Sequence, residues 1–263
     1  MILPFILSIP HCGVHIPPEL RASIALSDQA IAESEDFGTR EIFAHLPALD
    51  VIAAHWSRLV VDLNRPPDQY DAKGVVALAD YFGRRIFRAG REPDEAAVKQ
   101  WVARLHTPYH ERLAQMLRQA DCIGLIDCHS LNGTGPPDAP DSGRKRRDVI
   151  LSNNGDPKGH LVSGQGPLSC TTEVISRAAD AFASQGFSVA LNTPYRGGYI
   201  TRYYGSRLRA AGRFALQIEM NQDLYMTPGE VVCDSERVRH TAVRVERALA
   251  AWAGRLATSK KEG

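Results

Sequence analysis

Two histidines and a glutamate stand where apolar runs of the chain give out. Phe5–Ile9 leads into Pro10 and His11, Ile123–Asp127 into Cys128, His129 and Ser130, and Ala215–Ile218 into Glu219 and Asn221. If these runs are neighbouring parallel strands, His11, His129 and Glu219 gather at one carboxyl edge of a sheet. Open α/β folds place their chemistry there. Two imidazoles and a carboxylate make the ligand set of many hydrolytic zinc sites, which leave a fourth position for water. Glu219 sits in the run ALQIEM. A carboxylate in so apolar a setting is costly unless it is paired or ligates a metal.

Further acidic groups follow the first histidine closely, at Glu33, Glu35 and Asp36. On a helix Glu33 and Asp36 share a face, and either would point at His11, whereas Glu35 would point elsewhere. Cys12 and Cys128 each adjoin a histidine, but neighbours on a strand face opposite ways, so both read as packing residues. Arg58 and Arg65 flank Leu59–Leu63, with Asn64 between that run and Arg65. Arg202 closes a loop rich in glycine and aromatics that begins at Tyr195 and contains Gly198. Glycines permit close backbone approach, and the guanidinium fork suits a carboxylate. His110 follows Pro108 at an expected helix break and is a candidate electrophile or orienting group. His15, before Ile16–Pro17–Pro18, reads as a hydrogen-bonding loop residue.

The elements that must position these groups are legible as short apolar runs and periodic stretches. Strands are expected at Phe5–Ile9, Asp50–Ala53, Leu59–Leu63, Ile123–Asp127, Asp148–Leu151, Ser188–Leu191 and Ala215–Ile218. Ser27 is placed to cap a helix reaching about Leu46. A second helix starts at Glu92–Pro93 and is kinked or broken by Pro108. A third runs from about Thr172 to Gln185 with Gly186 as its terminating glycine. The last, about Ser235 to Leu256, carries Val238, Ala242, Val245, Leu249, Trp252 and Leu256 on one stripe, which reads as core. Alternating strands and helices predict one domain over residues 1–263, a three-layer α/β sandwich around a mostly parallel or mixed sheet. The Pro/Gly-rich stretch 132–143 reads as an active-site loop, and Lys260–Gly263 as a frayed tail.

Bulk properties exclude several classes. The 263 residues are 44% hydrophobic and 23% charged with a formal net charge of +1, so no global field points to nucleic acid. The basic run Arg144–Arg147 reads as a solvated loop. The N-terminus lacks the pattern of a signal peptide, and no apolar run approaches the ~20 residues that cross a bilayer. Five cysteines without zinc-finger spacing read as reduced thiols of a cytoplasmic protein.

Together these segments resemble the N-formylglutamate amidohydrolase family. The resemblance is carried by SIPHCG (Ser8–Gly13), WSRLVVDLNRP (Trp56–Pro66), PYH (Pro108–His110), DCHS (Asp127–Ser130), GGYITRYYG (Gly197–Gly205) and LQIEMN (Leu216–Asn221), in the family's order. It implies a zinc-dependent exopeptidase-like α/β fold of the phosphorylase/hydrolase-like kind. It further implies one Zn2+ held by His11, Asp36 and His129, with Glu219 as the catalytic carboxylate. Glu33 stays a rival to Asp36, because the family often has a different acidic stretch there. Cys12 also departs from the family, in which an acidic or small polar residue is common at that place. The implied reaction is hydrolysis of N-formyl-L-glutamate to formate and L-glutamate in histidine degradation. His110 would assist at the carbonyl, and Arg65, Arg202, Asn64 and Gly198 would hold a small acidic N-acyl amino acid. Hydrolysis of another N-acyl amino acid or small peptide-like amide is the alternative, and a non-catalytic binding module the second.

Overall fold

The most apolar runs form the middle of the protein. In the computed structural model, which describes residues 2–227 and 230–259, six strands make one sheet. They are β1 (Leu3–Ile9), β2 (Ala48–Ala53), β3 (Gly124–Leu131), β4 (Val149–Ser152), β5 (Val189–Leu191) and β6 (Phe214–Asn221). The order across the sheet is β2-β1-β3-β6-β4-β5. Neighbours pair in parallel except β4 and β6, which are antiparallel, so the sheet is mixed. Every residue of β3 and β6 is buried, as for strands covered on both faces. The edge strands β2 and β5 are only half-buried along their lengths.

The helices are α1 (Pro18–Arg21), α2 (Asp28–Ala32), α3 (Thr39–Phe43), α4 (Glu95–Trp101), α5 (Thr107–Met116), α6 (Thr172–Ser184), α7 (Tyr199–Arg209) and α8 (Ser235–Ser259). On one face of the sheet α8 packs against α3, α6 and β1. There Trp252 stacks on Phe5 with centroids 5.0 Å apart and reaches Phe214 at 5.2 Å. On the other face Ser8 of β1 meets Tyr109 of α5 at 3.0 Å, and Tyr204 of α7 reaches the His110 carbonyl at 3.0 Å. No helix among the described residues is long and apolar enough to cross a membrane. Lys260–Gly263 lie outside the described residues.

Three expected elements take other forms. Leu59–Leu63 is buried but is not a strand. Its backbone closes on itself, with Val60 N on Ser57 O at 2.9 Å and Asn64 N on the Asp62 carboxylate at 2.9 Å. The helix expected from Ser27 to Leu46 keeps its cap, since Ser27 Oγ accepts from Ala30 N, but it divides into α2 and α3. Gly38, with φ 73°, turns the chain between them. The interruption expected at Pro108 falls just before it, and Pro108 stands in the first turn of α5. A π turn at Val102–His106 widens the helix just before α5, and Thr107 N bonds back to Val102 O.

Candidate active site

The mixed sheet brings three of the anticipated groups into contact. The chain leaves β1 through Pro10 and places His11 so that its Nδ1 is 3.3 Å from Asp36 Oδ2. His129, on β3, places its own Nδ1 2.9 Å from the same oxygen. The two Nδ1 atoms are 3.1 Å apart, with the rings edge to face. All three side chains are buried. Asp36 sits in the short segment between α2 and α3, pinned by its N–H on the His11 carbonyl at 3.2 Å. The two Nδ1 atoms and Asp36 Oδ2 thus face one common point. His11, Asp36 and His129 offer donor atoms that all lie within 4.8 Å of one another. Two imidazoles and one carboxylate suit a divalent transition metal such as zinc.

An outer ring of partners fixes these ligands. Asp62 Oδ1 accepts from His11 Nε2 at 2.7 Å, and Asp127 Oδ1 lies 3.1 Å from His129 Nε2. Thr201 of α7 donates to the other oxygen of Asp127 at 2.9 Å. A carboxylate on the far nitrogen of a ligating imidazole sets its tautomer and raises its basicity. Arg58 donates to Asp36 Oδ1 at 3.1 Å and to Asp62 Oδ2 at 2.9 Å. Burial works against the charge on Asp36, but His11, His129 and Arg58 hold its carboxyl well below the usual range. Asp62 is lowered against burial by Arg58 and His11. His129 is pushed well above its ordinary value despite burial, by Asp127 and Asp36.

Glu219 occupies the position on β6 that pairs with His129 on β3. Its side chain is buried and takes a hydrogen bond from Gln217 Nε2 at 2.9 Å. Burial, with Asp36 and Asp127 adding to it and His129 opposing, raises its pKa to about 8. His11, Asp36, His129 and Glu219 open together on a cleft with about 220 Å³ of free volume. Its walls also include Asn64, Arg65, Tyr81, Arg146, Tyr195, Arg196 and Gly198.

The other anticipated residues are distributed unevenly around this cleft. Asn64 Nδ2 is 3.1 Å from His129 Nε2, and its Oδ1 accepts from Ile200 N at 2.8 Å. Gly198 packs against that side chain, so a Cβ there would stand 2.1 Å from Asn64 Nδ2. Arg65 reaches the cleft while donating to the Lys73 carbonyl at 3.1 Å. Arg202 is on α7 with its Nε on the Gly198 carbonyl at 3.2 Å, outside the cleft lining. His110 also lies outside the lining, with Nε2 on the Leu63 carbonyl at 2.9 Å and Nδ1 3.1 Å from the Tyr204 hydroxyl. Glu33 lines the cleft but is paired with Arg84 at 2.5 Å.

Sequence reasoning did not assign Asp62, Arg146 or Arg196 to the site. Arg146, from the basic run read as solvated, is buried against Asp141 at 2.7 Å and lies over the Tyr195 ring. Its signal was present in the flanking loop residues, but the partner Asp141 could be chosen only in three dimensions. Arg196 precedes the glycine pair 197–198, and its nearness to that turn was the available clue.

A mixed α/β sheet with a buried His–Asp–His cluster and a facing carboxylate at one edge defines an enzyme-like domain with a site fit for a metal. The chain belongs to the N-formylglutamate amidohydrolase family, whose sequence profile matches residues 3–226. It is 29% identical over 235 residues to an N-formylglutamate deformylase of Pseudomonas aeruginosa, covering 85% of this chain and 82% of the relative. To an N-formylglutamate deformylase of Pseudomonas putida it is 28% identical over 249 residues, covering 87% and 84%. The fold is that of an N-formylglutamate amidohydrolase from Ralstonia eutropha JMP134, with a TM-score of 0.71 at 19% identity, covering 100% of this chain and 95% of that one.

Proposed function

We propose that this protein is a metal-dependent amidohydrolase that cleaves N-formyl-L-glutamate to formate and L-glutamate. The observation that carries the reading is the convergence of His11, Asp36 and His129 on one point beside Glu219, at the floor of a cleft with cationic walls. His11, Asp36 and His129 would hold a zinc ion, and the match of their donor types to that ion supports the assignment. Such an ion, when bound, polarises a carbonyl oxygen and makes water acidic enough to be deprotonated near neutral pH.

The chain's own residues supply the rest. Glu219, its carboxylate favoured by the positive charge of a bound ion, would take the proton of the attacking water and pass it to the amide nitrogen as the C–N bond breaks, so the amine leaves neutral. Arg65 and Arg196 line the cleft with no carboxylate at ion-pair distance among the described residues. They are free to receive the two carboxylates of the substrate, each charged hydrogen bond contributing about 1.5–3 kcal/mol. Arg202, close enough to Arg65 for the two charges to repel, adds to the positive field. Asn64, held by Gly198 and Ile200, steadies the His129 side of the floor. His110 orients the Leu63–Arg65 segment through its bond to the Leu63 carbonyl. The same reading makes the protein a cytoplasmic enzyme of histidine degradation, in keeping with cysteines that are unpaired.

The test is formate release by purified protein, stripped of metal and then reloaded with zinc, across a panel of N-acyl amino acids. N-formyl-L-glutamate is expected to be the preferred substrate and zinc to restore turnover. Preference for an N-acyl acid without a second carboxylate would replace the proposed substrate.

A further inference from the structure

Arg58 spans both halves of the cluster. Its Nη1 donates to Asp36 Oδ1 at 3.1 Å and its Nη2 to Asp62 Oδ2 at 2.9 Å. Asp36 gives its other oxygen to His11 and His129, and Asp62 gives its other oxygen to His11 Nε2. The guanidinium therefore occupies the two carboxylate oxygens that face no imidazole. Its side chain is only 10% exposed, and Tyr81 covers it with a ring centroid 5.0 Å from the guanidinium carbon. The Tyr81 hydroxyl accepts from Nη2 at 3.1 Å.

We propose that Arg58 is a positioning residue that, by bridging Asp36 and Asp62, presents Asp36 to a metal through Oδ2 and holds the Asp62 carboxylate against His11 Nε2, so that the His11 ring turns Nδ1 toward the cluster. The inference rests on the reading of His11, Asp36 and His129 as metal ligands. With Oδ1 engaged by Arg58, Asp36 has one oxygen left for the cluster. With Asp62 aimed by Arg58, its Oδ1 meets His11 Nε2 at 2.7 Å and fixes the orientation of the ring that faces the cluster. The geometry needs a planar fork. A lysine ammonium is a point charge on a flexible stem and cannot hold both carboxylates in the same orientation.

Metal-stripped wild type, Arg58→Lys, Arg58→Met and Asp62→Asn are titrated with zinc against a chromogenic chelator, with thermal melts to confirm folding. Zinc affinity should fall by about 10–100-fold in Arg58→Met and Asp62→Asn, the usual range for loss of an outer-shell partner, and less in Arg58→Lys. The visible spectrum of the cobalt(II)-loaded protein should differ between wild type and Arg58→Met, a change that loss of packing alone would not produce. A folded Arg58→Met protein with wild-type zinc affinity and an unchanged cobalt spectrum overturns the proposal. If that variant does not fold, unchanged affinity in Asp62→Asn overturns it instead. Wild type that binds no zinc removes the metal reading itself, while intact wild-type binding with unaffected variants removes only the role of Arg58.

Discussion

Glu219 stands directly across from His129, its partner in the parallel pairing of β6 with β3. The pairing register thus fixes the separation between a candidate ligand and a candidate proton carrier. Replacing Glu219 by Gln keeps the shape and removes the base. Formate release should fall by roughly 10²–10⁴-fold, the usual worth of a general acid–base group. Zinc content, measured by elemental analysis on the same preparations, should stay at the wild-type level. A Gln variant as active as wild type would take Glu219 out of the mechanism.

The resemblance points to Asp36 as the acidic ligand with Glu33 as its rival on the same expected helix face, and the two have different surroundings in the structure. Asp36 touches both imidazoles, whereas Glu33 is tied to Arg84. Asp36→Asn should lose zinc in dialysis, while Glu33→Gln should retain it and show a change in melting temperature at most. Zinc retained by Asp36→Asn and lost by Glu33→Gln would reverse the assignment.

The cleft arginines should separate from Arg202. Arg65→Met and Arg196→Met should each raise KM for N-formyl-L-glutamate by about 10–100-fold, which corresponds to one charged hydrogen bond. Arg202→Met, outside the lining, should change KM by less than either. Initial-rate kinetics on the purified variants checks the order.

Stability should carry the mark of His110. Burial first, then the stacked His106 imidazole, lowers its pKa to about 4 from an ordinary 6.5. The unfolded chain therefore binds more protons between those values. His110's contribution is fully present above pH 6.5 and is lost as pH falls through 4. Chemical denaturation at a series of pH values should show a shallower acid decline in His110→Gln than in wild type. An identical decline in both would mean that His110 is already charged in the fold.

His11, His129 and Glu219 were readable because each follows an apolar run: His11 lies two residues beyond β1, and β3 and β6 carry His129 and Glu219 in their last three residues. Asp36 was harder to separate from Glu33. One helix from Ser27 to Leu46 would put both on a single face, and they are distinguished because α2 ends at Ala32, leaving Glu33 at its cap and Asp36 in the irregular segment beyond. Asp62 escaped because its partner His11 lies far away in sequence, and no local spacing encodes so distant a hydrogen bond. Arg196 and Arg202 were not separable without knowing that α7 begins at Tyr199, which leaves the first in the loop and carries the second onto the helix. The reversal of β4 against β6 was equally hidden, since a short buried strand reads the same in either direction.

Cys12 follows His11 directly, yet it turns its sulfur to the carbonyls of Ile9 at 3.2 Å and Ala54 at 3.7 Å. Burial lifts its pKa to about 11, against the pull of Arg40. The sulfur is thereby kept as a protonated thiol, and the donor set next to it consists of nitrogen and oxygen alone. Cadmium and mercury, which seek sulfur, meet no matching partner in that set, and a neighbour that stays protonated is slow to be alkylated or oxidised.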